Sequence, residues 1–211
     1  MLNNKIAFAR LMALLKSIDP DIPLPAGLED YLWKNMIVEA LCNKACRIEE
    51  ENKIPKKAYY VVRGFVLVYG YNHEQDRYLF RIYRENSIVA MDCFMRQQVS
   101  PYCIWLCKDT LLWSISSACM DAVYKHWDGM KAFAFKTSSK HNAAKEQSRA
   151  SLLGIEDIET RILEFYKRYK GLLPPKKSPI RDACIACFLD ISKDTLKRNR
   201  RNLKNKGLLK Y

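Results

Sequence analysis

The side chains best suited to chemistry in this chain are cationic, and they crowd one segment. Residues 180–207 read IRDACIACFLDISKDTLKRNRRNLKNKG. Lys193, Lys197, Arg198, Arg200, Arg201, Lys204 and Lys206 all follow Ser192, whose hydroxyl suits the first position of a helix. A short apolar helical pattern (Ala183, Ile185, Ala186, Phe188, Leu189) precedes the basic one. Helix, tight turn and capped basic helix form the pattern of a DNA-reading helix-turn-helix. Lys193, Asp194, Lys197 and Arg198 fall in the first two turns, where base edges come within reach. Arginine and lysine donate to guanine; Asp194 can accept from cytosine N4 or orient a basic neighbour. Ser192, Thr195, Arg201 and Lys204 are placed for phosphate contacts, which set register and salt dependence.

The elements that hold these groups are legible in part. Ile185, Leu189, Ile191 and Leu196 are spaced to fill the space between two crossed helices, with Ala186 at the close approach. Asp190 occupies the turn, where a left-handed backbone is expected. Asn199 stands where an apolar inward residue is expected, so it either turns toward DNA or weakens the packing.

Charge supports a polyanionic partner. The 211 residues carry a net +13, and residues 176–211 hold eleven Lys and Arg against three Asp. No run of about 18 apolar residues appears, which argues against a membrane span. The N-terminal residues lack an apolar region long enough for a secretory signal, so a cytoplasmic location is expected. The eight cysteines are then expected to be reduced thiols. Cys42/Cys46 and Cys103/Cys107 could in principle hold a metal or an iron–sulfur cluster, but Cys184-x-x-Cys187 has no second pair at zinc spacing and His73, His126 and His141 form no ligand pattern, so structural thiols are expected. No metal and no catalytic constellation is expected, so the chain does not read as an enzyme. Glu49, Glu50 and Glu51 read as solvated carboxylates near a strand edge.

Along the chain, periodicity predicts a helix over residues 1–20 and another over 28–41. Strand patterns follow at 58–71, with Gly64 at a turn or bulge, at 77–84 after a polar loop, and at 87–90, 102–107 and 111–116. Tyr78, Phe80 and Ile82 are expected on one face of the 77–84 strand, with Arg77, Leu79 and Arg81 on the other. Such short strands predict a jelly roll or barrel. Helix returns at 118–127, at 130–153 as one long element with a small-residue face, and at 158–170. The long helix serves as a core spacer or a dimer seam; a reader of palindromic DNA favours the seam.

Three stretches resemble the Crp/Fnr family of transcription regulators, particularly its Bacteroidetes-type branch. YYVVRGFVLVYG (59–70) resembles the family's first β-roll hairpin, residues 85–116 resemble its phosphate-binding cassette region, and IACFLDISKDTLKRNRRNL (185–203) resembles its helix-turn-helix. The resemblance implies a bacterial α+β protein: a cyclic-nucleotide-binding-like double-stranded β-helix, or jelly roll, over 1–128, a long dimerisation helix over 129–154, and a winged-helix-type helix-turn-helix over 155–211. Residues 207–211 leave room for only a shortened wing. Lys193, Asp194 and Arg198 match the family's base-reading positions. The implied partners are double-stranded DNA, a second copy of the chain and, as a further candidate, RNA polymerase, with no membrane.

The cassette departs from the family pattern. A Gly-Glu pair and an Arg-Ser pair would hold the cyclic phosphate and ribose. Here those positions read Ala90-Met91 and Tyr102-Cys103, with Asp92 adding a repelling charge. No cofactor and no response to cyclic AMP or GMP are expected; the pocket is either filled by its own side chains or takes a different, less charged effector. The competing function is an effector-sensing or protein-docking β-roll with weak, non-specific nucleic-acid binding.

Overall fold

The structure, a computed structural model, describes residues 4–39, 44–71, 73, 77–173 and 175–211. It opens with α1 (Asn4–Lys16) and α2 (Leu28–Asn35), followed by β1 (Ile37–Val38), β2 (Cys46–Glu49), β3 (Lys57–Arg63), β4 (Phe65–Tyr71), β5 (Arg77–Arg84) and β6 (Ser87–Val89). A short α3 (Asp92–Arg96) precedes β7 (Cys103–Leu106) and β8 (Leu111–Ser116). Helices complete the chain: α4 (Ser117–His126), α5 (Met130–Leu153), α6 (Ile158–Arg168), a 3-10 turn at Pro175–Lys177, α7 (Asp182–Phe188) and α8 (Lys193–Asn205).

By internal contacts the chain divides into two units, Met1–Val66 with Tyr83–Ala143, and Leu67–Ile82 with Ala144–Tyr211. The strands form two four-stranded sheets, ordered β1-β8-β3-β6 and β2-β7-β4-β5. Antiparallel pairing sets Tyr60 opposite Trp113 and Ile88, and Ala58 opposite Ile115. The β3–β4 connection is tight for a definable reason. Gly64 has φ +92°, and a Cβ there would lie 2.6 Å from Thr110 Oγ1 and 2.8 Å from the Thr110 backbone. The Thr110 hydroxyl closes the turn by donating to the Phe65 carbonyl (3.0 Å) and accepting from the Phe65 N–H (3.2 Å).

The first unit buries one face of its helices against the β1-β8-β3-β6 sheet. Phe8 and Leu11 of α1, Leu32 of α2, Tyr60 and Trp113 of the sheet and Val123 of α4 share one apolar cluster. Phe8, Trp33 and Trp113 meet at ring separations of 4.9–6.2 Å, the edge and tilted arrangements that aromatic quadrupoles favour.

Several sequence expectations are corrected here. The second helix stops at Asn35, not near Leu41, because Met36 turns to extended backbone and β-branched Ile37 and Val38 pair with Ser114 and Trp113. Helix α3 lay unrecognised inside the cassette, being too short for periodicity to show. In β5, Arg81, placed on one face with Leu79, is buried, ion-paired with Glu146 and stacked on Phe80. Glu49 is not a solvated carboxylate; it is half-buried and accepts a 2.6 Å hydrogen bond from Tyr59, and burial raises its pKa. Cys46 is disulfide-bonded, against the expectation of eight thiols, while Cys93, Cys103, Cys107, Cys119, Cys184 and Cys187 are free. Cys42 and most of the polar loop expected near 72–76 lie outside the described residues.

Candidate nucleic-acid interface

In the second unit, α6, α7 and α8 pack around Ile162, Phe165, Ile185, Phe188, Leu189, Leu196 and Leu203, each at most 1% exposed. Each such side chain contributes about 1.5–3 kcal/mol on burial, the main force joining three short helices. The turn between α7 and α8 closes as the sequence requires. Asp190 sits at φ +55°, its N–H donates to Cys187 O (3.2 Å), and the Ile191 N–H reaches back to Ala186 O (3.0 Å). That pair of bonds satisfies carbonyls left open at a helix C-terminus. Ser192 then caps α8, accepting from the Thr195 N–H at 3.0 Å while its hydroxyl donates to Thr195 Oγ1 at 2.8 Å. At the far end, the Leu208 N–H returns to Leu203 O (2.9 Å) through Gly207 at φ +72°. Among the described residues no strand follows α8.

The α8 surface divides cleanly. Leu196, Arg200 and Leu203 form the buried stripe. Helical periodicity puts Asp194, Arg198, Arg201 and Asn205 opposite it, with Lys193, Lys197 and Lys204 along one flank. All seven are exposed. Lys193, Asp194, Lys197, Arg198 and Arg201 make no hydrogen bond or ion pair among the described residues, and Lys204 stacks on the Tyr211 ring at 4.6 Å. The Ser192 hydroxyl spends its proton on Thr195 Oγ1, whereas Thr195 Oγ1 only accepts in the cap, so the Thr195 hydroxyl is the one with a proton to donate to a phosphate. Asn199 is half-buried. Its amide donates to Thr195 O at 2.9 Å, satisfied within its own helix.

Arg200 of the segment and basic residues of α5 and α6 build the scaffold, which the sequence did not reveal. Arg200 is 7% exposed and forms a bidentate pair with Asp182 (2.8 and 2.7 Å) plus a bond to the Tyr166 hydroxyl (3.0 Å). Hydrogen bonds from Arg200 hold the Asp182 carboxyl below its usual range, against the opposing effect of burial. Arg149 donates to Phe188 O (3.1 Å) and Arg161 to Leu189 O (3.1 Å), so two guanidiniums cover the C-terminal carbonyls of α7. Arg168 ties α6 to α5 through Ser148 O at 2.6 Å. The signal that could have found Arg200 is its phase: it falls four residues after Leu196 and three before Leu203, on the inward stripe.

The five effector-pocket positions lie in the first unit. Ala90, Met91 and Cys103 are buried and Tyr102 is half-buried. Asp92 is exposed but tethered: its Oδ1 accepts from Ser138 Oγ and Asn142 Nδ2, both at 3.3 Å. Ser138 Oγ also donates to Ala90 O at 2.7 Å, and Tyr83 donates to Asn142 Oδ1 at 2.9 Å. The segment entering α3 is thus bonded directly to α5 by the chain's own side chains. The Ser100 hydroxyl bridges the Tyr102 backbone N–H and carbonyl (3.1 and 3.0 Å).

The two sheets, the long helix and the C-terminal helices share the fold of solved Crp/Fnr-type regulators, a β-roll followed by a helical unit. Among solved structures sharing this fold, FixK2 from Bradyrhizobium japonicum is similar with TM-score 0.67 and 16% identity, over 84% of this chain and 87% of that one. A protein from Eubacterium rectale assigned to the Crp/Fnr family gives 0.65 and 17%, over 89% and 87%. The cyclic-di-GMP-responsive global regulator CLP of Xanthomonas campestris gives 0.63 and 14%, over 89% and 95%. No family model and no curated protein sequence matches the chain. Among the described residues no helix is long and apolar enough to cross a membrane.

Proposed function

We propose that this chain is a sequence-specific DNA-binding transcription regulator. It reads a palindromic site as a homodimer, with one α8 of each copy in the major groove and α5 as the seam between copies. The observation that carries the reading is the outward face of α8: exposed Asp194, Arg198 and Arg201, which make no hydrogen bond or ion pair among the described residues, on a helix capped at both ends and clamped from behind by Arg200. Preorganised donors of this kind suit base edges and phosphates. Lys193, Asp194, Lys197 and Arg198 are the proposed base readers, and Ser192, Thr195, Arg201 and Lys204 the proposed phosphate contacts. The chain takes no cyclic AMP or GMP in this reading, because no guanidinium stands at Tyr102-Cys103 and the segment 90–92 is bonded to α5 without a ligand.

A second reading, an effector-sensing or protein-docking β-roll with weak, non-specific nucleic-acid binding, is favoured by the net charge of +13, which attracts any polyanion whatever its sequence. Duplexes selected from a random pool, compared with unselected duplexes over a salt series, separate the two. Regulators bind their sites about 10³–10⁷-fold more tightly than random DNA. A ratio near one at every salt concentration overturns the regulator reading.

A further inference from the structure

The first unit contains an apolar cavity of about 110 Å³ that the DNA-reading surface does not explain. It lies against the β1-β8-β3-β6 sheet. Leu11 of α1, Leu32 of α2, Ile115 of β8, Phe94 of α3 and Phe133 of α5 contribute to its wall. None of its lining residues is charged. The lining residues with polar side-chain oxygens are all engaged elsewhere: Tyr59 donates to Glu49 (2.6 Å), Tyr60 to Asn86 (2.9 Å) and Thr137 to Phe133 O (2.8 Å). A water placed there would find too few partners, whereas a dry cavity of about 150 Å³ lined by Leu, Ile and Phe is known to bind benzene or xenon.

We propose that this cavity is a binding site for a compact, uncharged hydrocarbon of about one ring. The volume excludes a nucleotide, and the lining offers no hydrogen bond that a polar ligand would need. Four methionines line it, Met36, Met95, Met120 and Met130, and their unbranched thioethers adapt to an irregular guest and contact aromatic rings favourably. Position gives the site its consequence. Phe94 and Met95 belong to α3, just after the segment that bonds to Ser138 and Asn142, while Met130, Phe133 and Thr137 belong to the first turns of α5. A guest therefore touches both partners of that junction and biases whichever arrangement packs better around it. The site is separate from the positions where a cyclic nucleotide would be held; of those, only Ala90 reaches its wall.

The test is a titration of the full chain, carrying ¹³C-methyl methionine, with benzene. The expected result is a saturable shift of the Met36, Met95, Met120 and Met130 methyl resonances, with Met12 and Met91, buried outside the cavity, unmoved. No shift up to the solubility limit of benzene, or a linear, unsaturable shift of all six methyls, overturns the proposal. Ala134→Leu, which extends a side chain into the cavity from α5, should abolish the shifts while the Met12 and Met91 resonances report an intact fold. Undiminished benzene binding by that variant refutes the location. Since no DNA is present, failure here leaves the regulator reading untouched.

Discussion

Arg200 offers the sharpest test of how α8 is held. Its side chain is 8% exposed and that of Asp182 is 20% exposed. Removing one partner of a buried ion pair costs about 3–5 kcal/mol, because the other charge is left without water or counter-charge. Asp182→Ala strands the more deeply buried group and should cost about 3–4 kcal/mol. Arg200→Met strands a carboxylate that water can partly reach, and should cost about 1–3 kcal/mol. The double variant Asp182→Leu/Arg200→Met removes both charges and should return to within about 1 kcal/mol of the parent, since apolar replacements of a buried pair are often neutral. Tryptophan fluorescence is unsuited to the measurement, for Trp33, Trp105, Trp113 and Trp127 all lie in the other unit. Amide hydrogen exchange in α8 reports it directly. Acid gives an independent check. Hydrogen bonds from Arg200 lower the Asp182 pKa, so the stabilisation is present above the unfolded carboxyl value of about 3.9 and is lost as pH falls through the lower folded value. Protection of α8 should therefore hold from pH 7 to about 5 and decline below about 4, with Asp182→Ala lacking that pair-dependent decline. Singles that each cost under about 0.5 kcal/mol, or a double variant whose losses simply add, would refute the clamp.

Three further outcomes can be stated. Arg198→Ala should lose about 1–3 kcal/mol of discrimination at one base position, read from the sites it selects out of a random duplex pool; an unchanged motif removes Arg198 from the base readers. Cyclic AMP at millimolar concentration should leave the melting temperature unmoved, and a clear upward shift would show that residues 90–92 and 102–103 hold the nucleotide after all. Gly64→Ala should destabilise the first unit by more than about 1 kcal/mol in urea unfolding followed by tryptophan fluorescence, because the added Cβ meets the Thr110 backbone and φ +92° disfavours any side chain. Full stability would mean that the β3–β4 turn relaxes.

The helix-turn-helix was legible because its determinants are local. The Ser192 cap, the left-handed Asp190 and the inward spacing of Ile185, Leu189 and Leu196 all act within a turn or two of their own position. The β-rich stretches from Lys57 to Ser116 showed themselves for a similar reason, since β-branched and aromatic runs bounded by Gly64 leave a short-range signature. Two-residue β1 and five-residue α3 were missed, being shorter than the window over which a period can be recognised.

What the sequence determined by itself was the place of most of the longer helices and strands, the cationic balance of the C-terminal segment and the uncharged residue types at Ala90-Met91 and Tyr102-Cys103. What only the tertiary structure decided was the job of each charge. Arg198 and Arg200 stand two residues apart in one basic run, yet one is exposed and the other is locked to Asp182 and Tyr166. Arg149 and Arg161 serve carbonyls of α7 that are distant in sequence, and Glu49 is claimed by Tyr59 across ten residues. Composition counts charges, but desolvation and partner geometry assign them, and both arise only when elements far apart in the chain pack together.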